Sequence, residues 1–450
     1  MPGHKGRGPL GCEELDITEI AGADELYEAE GIIAQSEANA TQLFSTARTY
    51  YSTEGSSQCI RAMLHLALQM RPAKAGRPVL LAARNAHKAL LYAAALLDFD
   101  IQWLWPAPDA AGALCTCPVE PEALASALDE LSAEGRTPFG VYLTSPDYLG
   151  FVQDVAGLSA VCHAHGLPLL VDNAHGAYLH FLKEGGRHPI QLGADLCCDS
   201  AHKTLPVLTG GAYLHLGTSV QADEAAVRNA LALFGSTSPS YLILQSLDAA
   251  NAVLADGFRE KLDICRWRLG MLCRELDALR PGLALPLTGA HREPLKLTLD
   301  AAVLGLSGQQ LAQALRERGV ECEYADPRYI VLMPSAESSA AEFACLQTAL
   351  HAICGEAPAA DVSVTADDPA AFAALAGALE AQPRRFTIRE AVLAPQEMIP
   401  AAEAVGRICA APAVSCPPAI PIVVSGETVP PEALPLFARY GIEKAAVVKE

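Results

Sequence analysis

Between about residues 75 and 215 the chain alternates short apolar runs with longer amphipathic stretches. Val79–Ala82, Ile101–Trp105, Val141–Thr144, Leu169–Val171, Leu196–Cys198 and Ala212–Leu216 are bounded by Gly, Pro, Asn or Asp, which predicts short strands buried on both faces. His87–Leu97, Pro121–Glu134 and Asp154–His165 carry the spacing of helices that cover such strands. The alternation predicts an α/β fold in which crossover helices join a largely parallel sheet. Ligands of such sheets bind beyond the carboxyl ends of the strands. Ser145, Asp172, Lys203 and the segment Arg84-Asn85-Ala86-His87 all fall there.

After a long helical stretch over Leu242–Leu279, the pattern changes near Arg280-Pro281-Gly282 and a second unit is expected. It reads as a strand at Lys296–Leu299, a helix at Gly308–Arg318, a strand at Tyr329–Met333 and a helix at Ala340–Ile353. Glu356–Asp368, rich in Ala and Asp, reads as a connector; Pro369–Glu380 is helical in pattern and Pro417–Val424 extended. The expected division is a major domain over 1–285 and a smaller α+β domain over 286–450.

Composition narrows the possibilities. The longest clean apolar stretch, Ala89–Leu97, falls far short of the ~20 residues of a membrane span, and no apolar segment follows the charged N-terminus as in a secretion signal. A cytoplasmic location is expected. The net charge of −20 excludes the basic footprint of a nucleic-acid binder. The 14 cysteines are scattered, and the pairs Cys115/Cys117 and Cys197/Cys198 lack zinc-site spacing, so reduced thiols and no metal are expected.

The candidate chemistry lies in two segments. Ser200-Ala201-His202-Lys203 places an amine where a strand opens into a loop, beside two side chains able to donate to a phosphate. Leu169-Leu170-Val171-Asp172 ends a second apolar run in a carboxylate. Pyridoxal phosphate needs both: an amine made nucleophilic by desolvation for its aldehyde, and an anion for its ring nitrogen. Each residue alone has a plainer reading, Lys203 as a surface lysine at a strand end and Asp172 as the cap of the next helix. Thr53-Glu54-Gly55-Ser56-Ser57-Gln58, leading into the helical Ile60–Met70, suits a phosphate turn and equally an ordinary helix start. His87 can lie on a pyridine face or simply open its helix, and His175 can serve the substrate or pack in its loop.

With these positions in place, the chain resembles the ornithine/lysine/arginine decarboxylase family of fold type I pyridoxal-phosphate enzymes, in a short form without an extra N-terminal domain. Met1-Pro2-Gly3-His4-Lys5-Gly6 and Leu15-Asp16-Ile17-Thr18-Glu19 are similar to its opening signatures. Gly55-Ser56-Ser57 is similar to its phosphate turn, and Arg84-Asn85-Ala86-His87-Lys88 to the element whose His stacks on the ring. Asp172-Asn173-Ala174-His175-Gly176 and Ser200-Ala201-His202-Lys203-Thr204 resemble its cofactor motifs. Ser236-Thr237-Ser238-Pro239-Ser240-Tyr241 resembles the stretch that reaches the phosphate of a neighbouring subunit, with Thr237 and Ser238 as its contacts. Lys296-Leu297-Thr298-Leu299, Gly305-Leu306-Ser307-Gly308, Pro417-Pro418-Ala419-Ile420-Pro421 and Gly426-Glu427 continue the likeness.

The resemblance implies a PLP-dependent transferase-like major domain with a mostly parallel seven-stranded sheet and a smaller α+β C-terminal domain. It implies a homodimer with shared active sites, possible further assembly, and decarboxylation of arginine, lysine or ornithine to CO2 and a polyamine-type amine. Lys203, Asp172 and His175 become the catalytic set. Gly55, Ser56, Ser57, His87, Asp172, Ala174, Ser200, His202, Lys203, Thr237 and Ser238 become the cofactor contacts, and Glu427 a partner for the substrate's distal cation. Departures from the family pattern fall at Asn173, where relatives often have Glu, at Val392-Leu393, and at Cys416, Ala419 and Ser425. The same cofactor residues serve an aminotransferase or a carbon–carbon lyase equally well, and a non-catalytic binding relative is the reading from another class.

Overall fold

The computed structural model describes residues 2–72, 76–107, 115–183, 185–357, 369–383, 385–411 and 421–450. Cys416, Ala419, the start of the extended Pro417–Val424 segment and nearly all of the Glu356–Asp368 connector lie outside these residues.

Seven strands form the main sheet: β1 (Arg48–Ser52), β2 (Val79–Ala83), β3 (Asp100–Leu104), β4 (Val141–Thr144), β5 (Leu169–Asp172), β6 (Leu196–Asp199) and β7 (Ala212–Leu216). Their order is β1-β7-β6-β5-β4-β2-β3. β4, β5 and β6 pair in parallel, with Thr144 opposite Asp172 and Asp172 opposite Cys198. β7 runs antiparallel to β6 and to β1. All residues of β2, β5, β6 and β7 are buried, as expected of strands covered on both faces.

The six predicted strands are present, each within a residue or two of its expected ends. β1 is the addition. Its sequence, Arg-Thr-Tyr-Tyr-Ser, has no apolar run, but aromatic and β-branched side chains suit a pleated surface. The second difference is in the helical stretch after residue 241. It breaks into separate helices, Tyr241–Ala255 and Phe258–Leu279, because Gly257 adopts φ +77, a left-handed conformation that a helix interior cannot contain.

The helices around the sheet are α1 (Ile32–Phe44), α2 (Gly55–Met70), α3 (Lys88–Leu97), α4 (Pro121–Ala133), α5 (Val155–Ala164), α6 (Ala201–Thr204), α7 (Glu224–Ala232), α8 (Tyr241–Ala255) and α9 (Phe258–Leu279). α2 shows how the core is built: Cys59, Ile60, Met63, Leu64, Leu66 and Ala67 line one side and are at most 1% exposed. Met63→Ala is expected to cost about 2–5 kcal/mol, the range for emptying such a site.

The chain divides into two compact units. One comprises Met1–Leu81, Glu120–Ser145 and Asp154–Lys261; the other comprises Ala82–Val119, Pro146–Gln153 and Leu262–Glu450. The segment 286–450 lies wholly within the second. There, β8 (Leu297–Asp300), β9 (Tyr324–Ala325) and β10 (Tyr329–Leu332) form a sheet in the order β8-β10-β9, and β11 (Gln396–Pro400) pairs with β12 (Lys444–Val448). The helices α10 (Gly308–Arg316) and α11 (Ala340–Glu356) of this unit each start with a Ser capping box. Among the described residues, no helix is long and apolar enough to cross a membrane.

Candidate active site

The site in the first unit is built from the carboxyl ends of β5 and β6 and the start of α2. β5 delivers Asp172, which is 3% exposed. Its Oδ2 accepts a hydrogen bond from the Tyr142 hydroxyl at 3.0 Å, and its Oδ1 accepts from the Ala174 amide at 3.1 Å and the Cys198 thiol at 3.7 Å. Among the described residues, no cation forms an ion pair with this carboxylate. Burial and the Asp172 charge push the Tyr142 hydroxyl well above its ordinary pKa, so it stays a donor. Burial likewise keeps the Cys198 thiol protonated.

β6 ends at Asp199, and Ser200 leads into the single turn of α6 that carries His202 and Lys203. Lys203 Nζ lies 2.9 Å from His175 Nε2, in the loop just after Asp172. His202 Nδ1 donates to the Gly211 carbonyl at 3.0 Å, which fixes the ring. Ser200 Oγ donates to Ser56 Oγ at 2.7 Å, joining the lysine segment to the first turn of α2.

The start of α2 has the form of an anion cradle. Gly55 holds φ +70, and a Cβ there would meet no heavy atom within 4 Å. Its amide donates to the Gly210 carbonyl at 2.7 Å, and Glu54 gives the helix no side-chain cap. Ser56 and Ser57 follow, half-buried. Among the described residues, the hydroxyl of Thr204, next to Lys203, is buried without a hydrogen-bond partner.

These residues fit pyridoxal phosphate. A buried carboxylate held only by neutral donors suits a protonated ring nitrogen. An amine stands at the next strand end, and an uncapped helix start with two hydroxyls suits a phosphate.

The structure brings Gly55, Ser56, Ser57, Asp172, Ala174, His175, Ser200, His202 and Lys203 together in the first unit. Thr237 and Ser238 are exposed in the turn between α7 and α8. Among the described residues they form no hydrogen bond with the Asp172–Lys203 group. His87 belongs to the second unit, where its Nδ1 caps α3 by accepting from the Ala89 amide at 3.2 Å.

Glu427, also in the second unit, is already engaged. Both its oxygens accept from Arg84, at 2.7 and 2.9 Å, and the Val424 amide donates to it at 2.8 Å. Arg84 in turn lies over the rings of Trp103 and Trp105, 4.8 and 4.6 Å from their centroids. A substrate cation at Glu427 would therefore share its carboxylate with a guanidinium. Ser425 donates to the carbonyls of Ala410 and Ala411.

Two participants were not singled out from sequence. Tyr142 was hidden in the run Val141–Thr144; a tyrosine in a fully buried strand needs a hydroxyl partner, and that was its signal. The cluster His188, Asp199 and His215 is buried in full, and only proximity in space assembles it.

The likeness to known proteins agrees with this site. The family model described as Orn/Lys/Arg decarboxylase, major domain, matches residues 12–265. The uncharacterized protein YaaO of Bacillus subtilis is 28% identical over 432 residues, which cover 94% of this chain and 85% of that protein. An arginine decarboxylase of Halalkalibacterium halodurans is 26% identical over 457 residues, covering 95% of this chain and 87% of its own length. Among solved structures, the constitutive lysine decarboxylase of E. coli matches 99% of this chain and 77% of its own, with a TM-score of 0.74 and 20% identity. The chain belongs to the Orn/Lys/Arg decarboxylase family, with the fold type I architecture and the pyridoxal-phosphate cofactor of that family.

Proposed function

We propose that this protein removes the α-carboxylate of a basic amino acid, arginine, lysine or ornithine, releasing CO2 and a polyamine-type amine. The observation that carries the reading is the placement of Asp172 and Lys203 at the ends of adjacent parallel strands, with His175 on the lysine amine. Relatives named arginine decarboxylase over nearly the full chain support arginine as the first substrate to test.

Bound pyridoxal phosphate supplies an electron sink at the substrate's α-carbon. The protein's own residues do the rest. Asp172, oriented by Tyr142, would hold the ring nitrogen protonated. Lys203 would hold the aldehyde carbon before substrate arrives, and His175, 2.9 Å from its Nζ, would take or return a proton there. Ser56, Ser57, Ser200 and His202 would hold the phosphate. His87 would lie on the ring, and Thr237 and Ser238 would reach the phosphate of a second copy in a homodimer. Glu427 is our candidate for the substrate's distal cation, shared with Arg84. The reading also keeps the division at about residue 285 and a cytoplasmic setting.

The test is a panel of amino acids given to the cofactor-loaded protein, with CO2 and amine measured together. Stoichiometric CO2 and amine from a basic amino acid supports the proposal. A keto acid without CO2 replaces it with transamination.

A further inference from the structure

Behind the site lies a buried polar network that the mechanism does not use. Asn173 directly follows Asp172, and Asp199 directly precedes Ser200; both side chains are fully buried. Asn173 Nδ2 donates to Asp199 Oδ1 at 2.6 Å, while its backbone amide donates to the Cys198 carbonyl at 2.9 Å. The pairing of β5 with β6 is thus carried one residue past Asp172 and locked by a side-chain bond. On the other oxygen, Asp199 Oδ2 meets His188 Nε2 at 3.0 Å and His215 Nε2 at 3.1 Å. His215 stands on β7, and its Nδ1 lies 2.8 Å from Thr49 Oγ1 on β1. One carboxylate therefore ties together the ends of β5 and β6, the strand β7 beside them, and through Thr49 the edge strand β1.

Two histidines and an aspartate whose ligating atoms lie within 4.8 Å of one another also have the composition of a metal site. The hydrogen-bond partners argue against that reading. His188 Nδ1 accepts from the Ile190 amide at 3.4 Å, so in the neutral ring the proton sits on Nε2 and points at Asp199. A nitrogen that carries a proton has no lone pair for a metal. Burial pushes the Asp199 carboxyl up, but the two imidazoles outweigh it and hold the group well below its usual range. Most groups facing the cluster are neutral. Burial holds His215 and His180 below their usual values, His180 at about 4, and holds the thiols of Cys197 and Cys59 and the Tyr213 hydroxyl above theirs. The charged neighbours are Asp172 and, acting on His180, Arg259.

We propose that Asn173 and Asp199, backed by His188 and His215, are positioning residues that fix the separation between Asp172 and Lys203. This rests on the reading of those two residues as the cofactor's partners. Neither network residue touches the reacting atoms. Asn173 is one residue from Asp172, and Asp199 is four from Lys203, so the bond between them sets the relative placement of two groups carried by different strands. Misplacement by about 1 Å at such a distance costs on the order of 100-fold in rate.

The test is a charge swap. N173D sets two buried carboxylates against each other, so one must keep a proton and its folded-state pKa rises. A raised pKa contributes stability below the unfolded value of about 4, lost as pH rises through the folded value. The melting temperature of the cofactor-free variant should therefore fall between about pH 4 and 8 relative to the wild type. Its kcat should drop on the order of 100-fold with KM unchanged, and the absorbance of bound cofactor should shift.

N173D/D199N reverses the pair: the new amide donates to the new carboxylate, and its carbonyl still accepts from both imidazoles. This double variant, whose carboxylate no longer faces the imidazoles, should melt above N173D at pH 7 and recover the wild-type cofactor spectrum and most of kcat. N173A, which adds no charge, covers the case in which N173D does not fold, and should lose kcat with KM kept. Wild-type kcat and spectrum in N173D or N173A overturn the proposal, as does a double variant no better than N173D. One equivalent of zinc bound by the wild type and lost in D199N replaces it with a metal site. If the wild type takes no cofactor on Lys203, the functional reading fails, while the cofactor-free melting profiles still decide whether the pair exists.

Discussion

Two carboxylates end neighbouring strands of one sheet, and their surroundings differ. Asp199 is saturated by two imidazoles, a carboxamide and a thiol, every one supplied by side chains of the fold. Asp172 has a phenol, one backbone amide and a thiol. Both are buried, so burial does not separate a structural carboxylate from a functional one. The donor set does. A carboxylate whose partners are complete is a fastener, whereas one held by fewer neutral donors, beside an amine and an uncapped helix start, is set for a cationic ligand.

The most severe break is at the lysine. K203A should abolish covalent attachment of the cofactor and reduce kcat by on the order of 10^4-fold, the upper end for removing a proton-transfer group; single-turnover assays with added cofactor would measure it. D172N keeps shape but loses the anion, and should cost roughly 10^2–10^3-fold in kcat, typical for removing one electrostatic contact to the reacting group. If D172N leaves kcat at the wild-type value, the contrast between the two carboxylates is gone.

Smaller effects sharpen the contrast. D199N should destabilise the fold by about 1–3 kcal/mol, because one donor of the network loses its acceptor; urea unfolding reads this directly. Y142F removes one hydrogen bond to the buried Asp172 and should lower kcat about tenfold, with a loss of stability of about 1–3 kcal/mol. Acid titration gives a further comparison. The Asp199 carboxyl is held below its usual range, so its contribution is present above the unfolded value of about 4 and is lost as pH falls through the folded value. Unfolding followed from pH 7 down to 2 should show that loss at the acid end, and N173D should show the opposite slope above pH 4. E427Q is the mildest: KM for a diamino acid should rise more than KM for a neutral one, and equal changes would leave Glu427 as the partner of Arg84 alone.

Much of the fold was legible because strands covered on both faces must be apolar throughout. That constraint marked β2 to β7, and the residues at their ends marked the site. β1 escaped because an edge strand of Arg, Thr, Tyr and Ser satisfies the sheet through its rings and hydroxyls. The break at Gly257 is a single conformational choice inside a long helical pattern. The lysine and aspartate were visible as local motifs. The bond from Asn173 to Asp199 was not, since Asn173 sits inside a motif already assigned to the cofactor, Asp199 falls between the apolar run Leu196–Cys198 and the motif that starts at Ser200, and the partners His188 and His215 are separated by 27 positions in sequence. Nor was the pairing of Arg84 with Glu427 visible, because 343 positions separate them.

The central claim is that Lys203 carries the cofactor. Borohydride reduction of the loaded protein, followed by peptide mass mapping, tests it most directly. A pyridoxyl group on the peptide containing Lys203, absent after K203A, is the expected result; a label on another lysine, or none, contradicts the account.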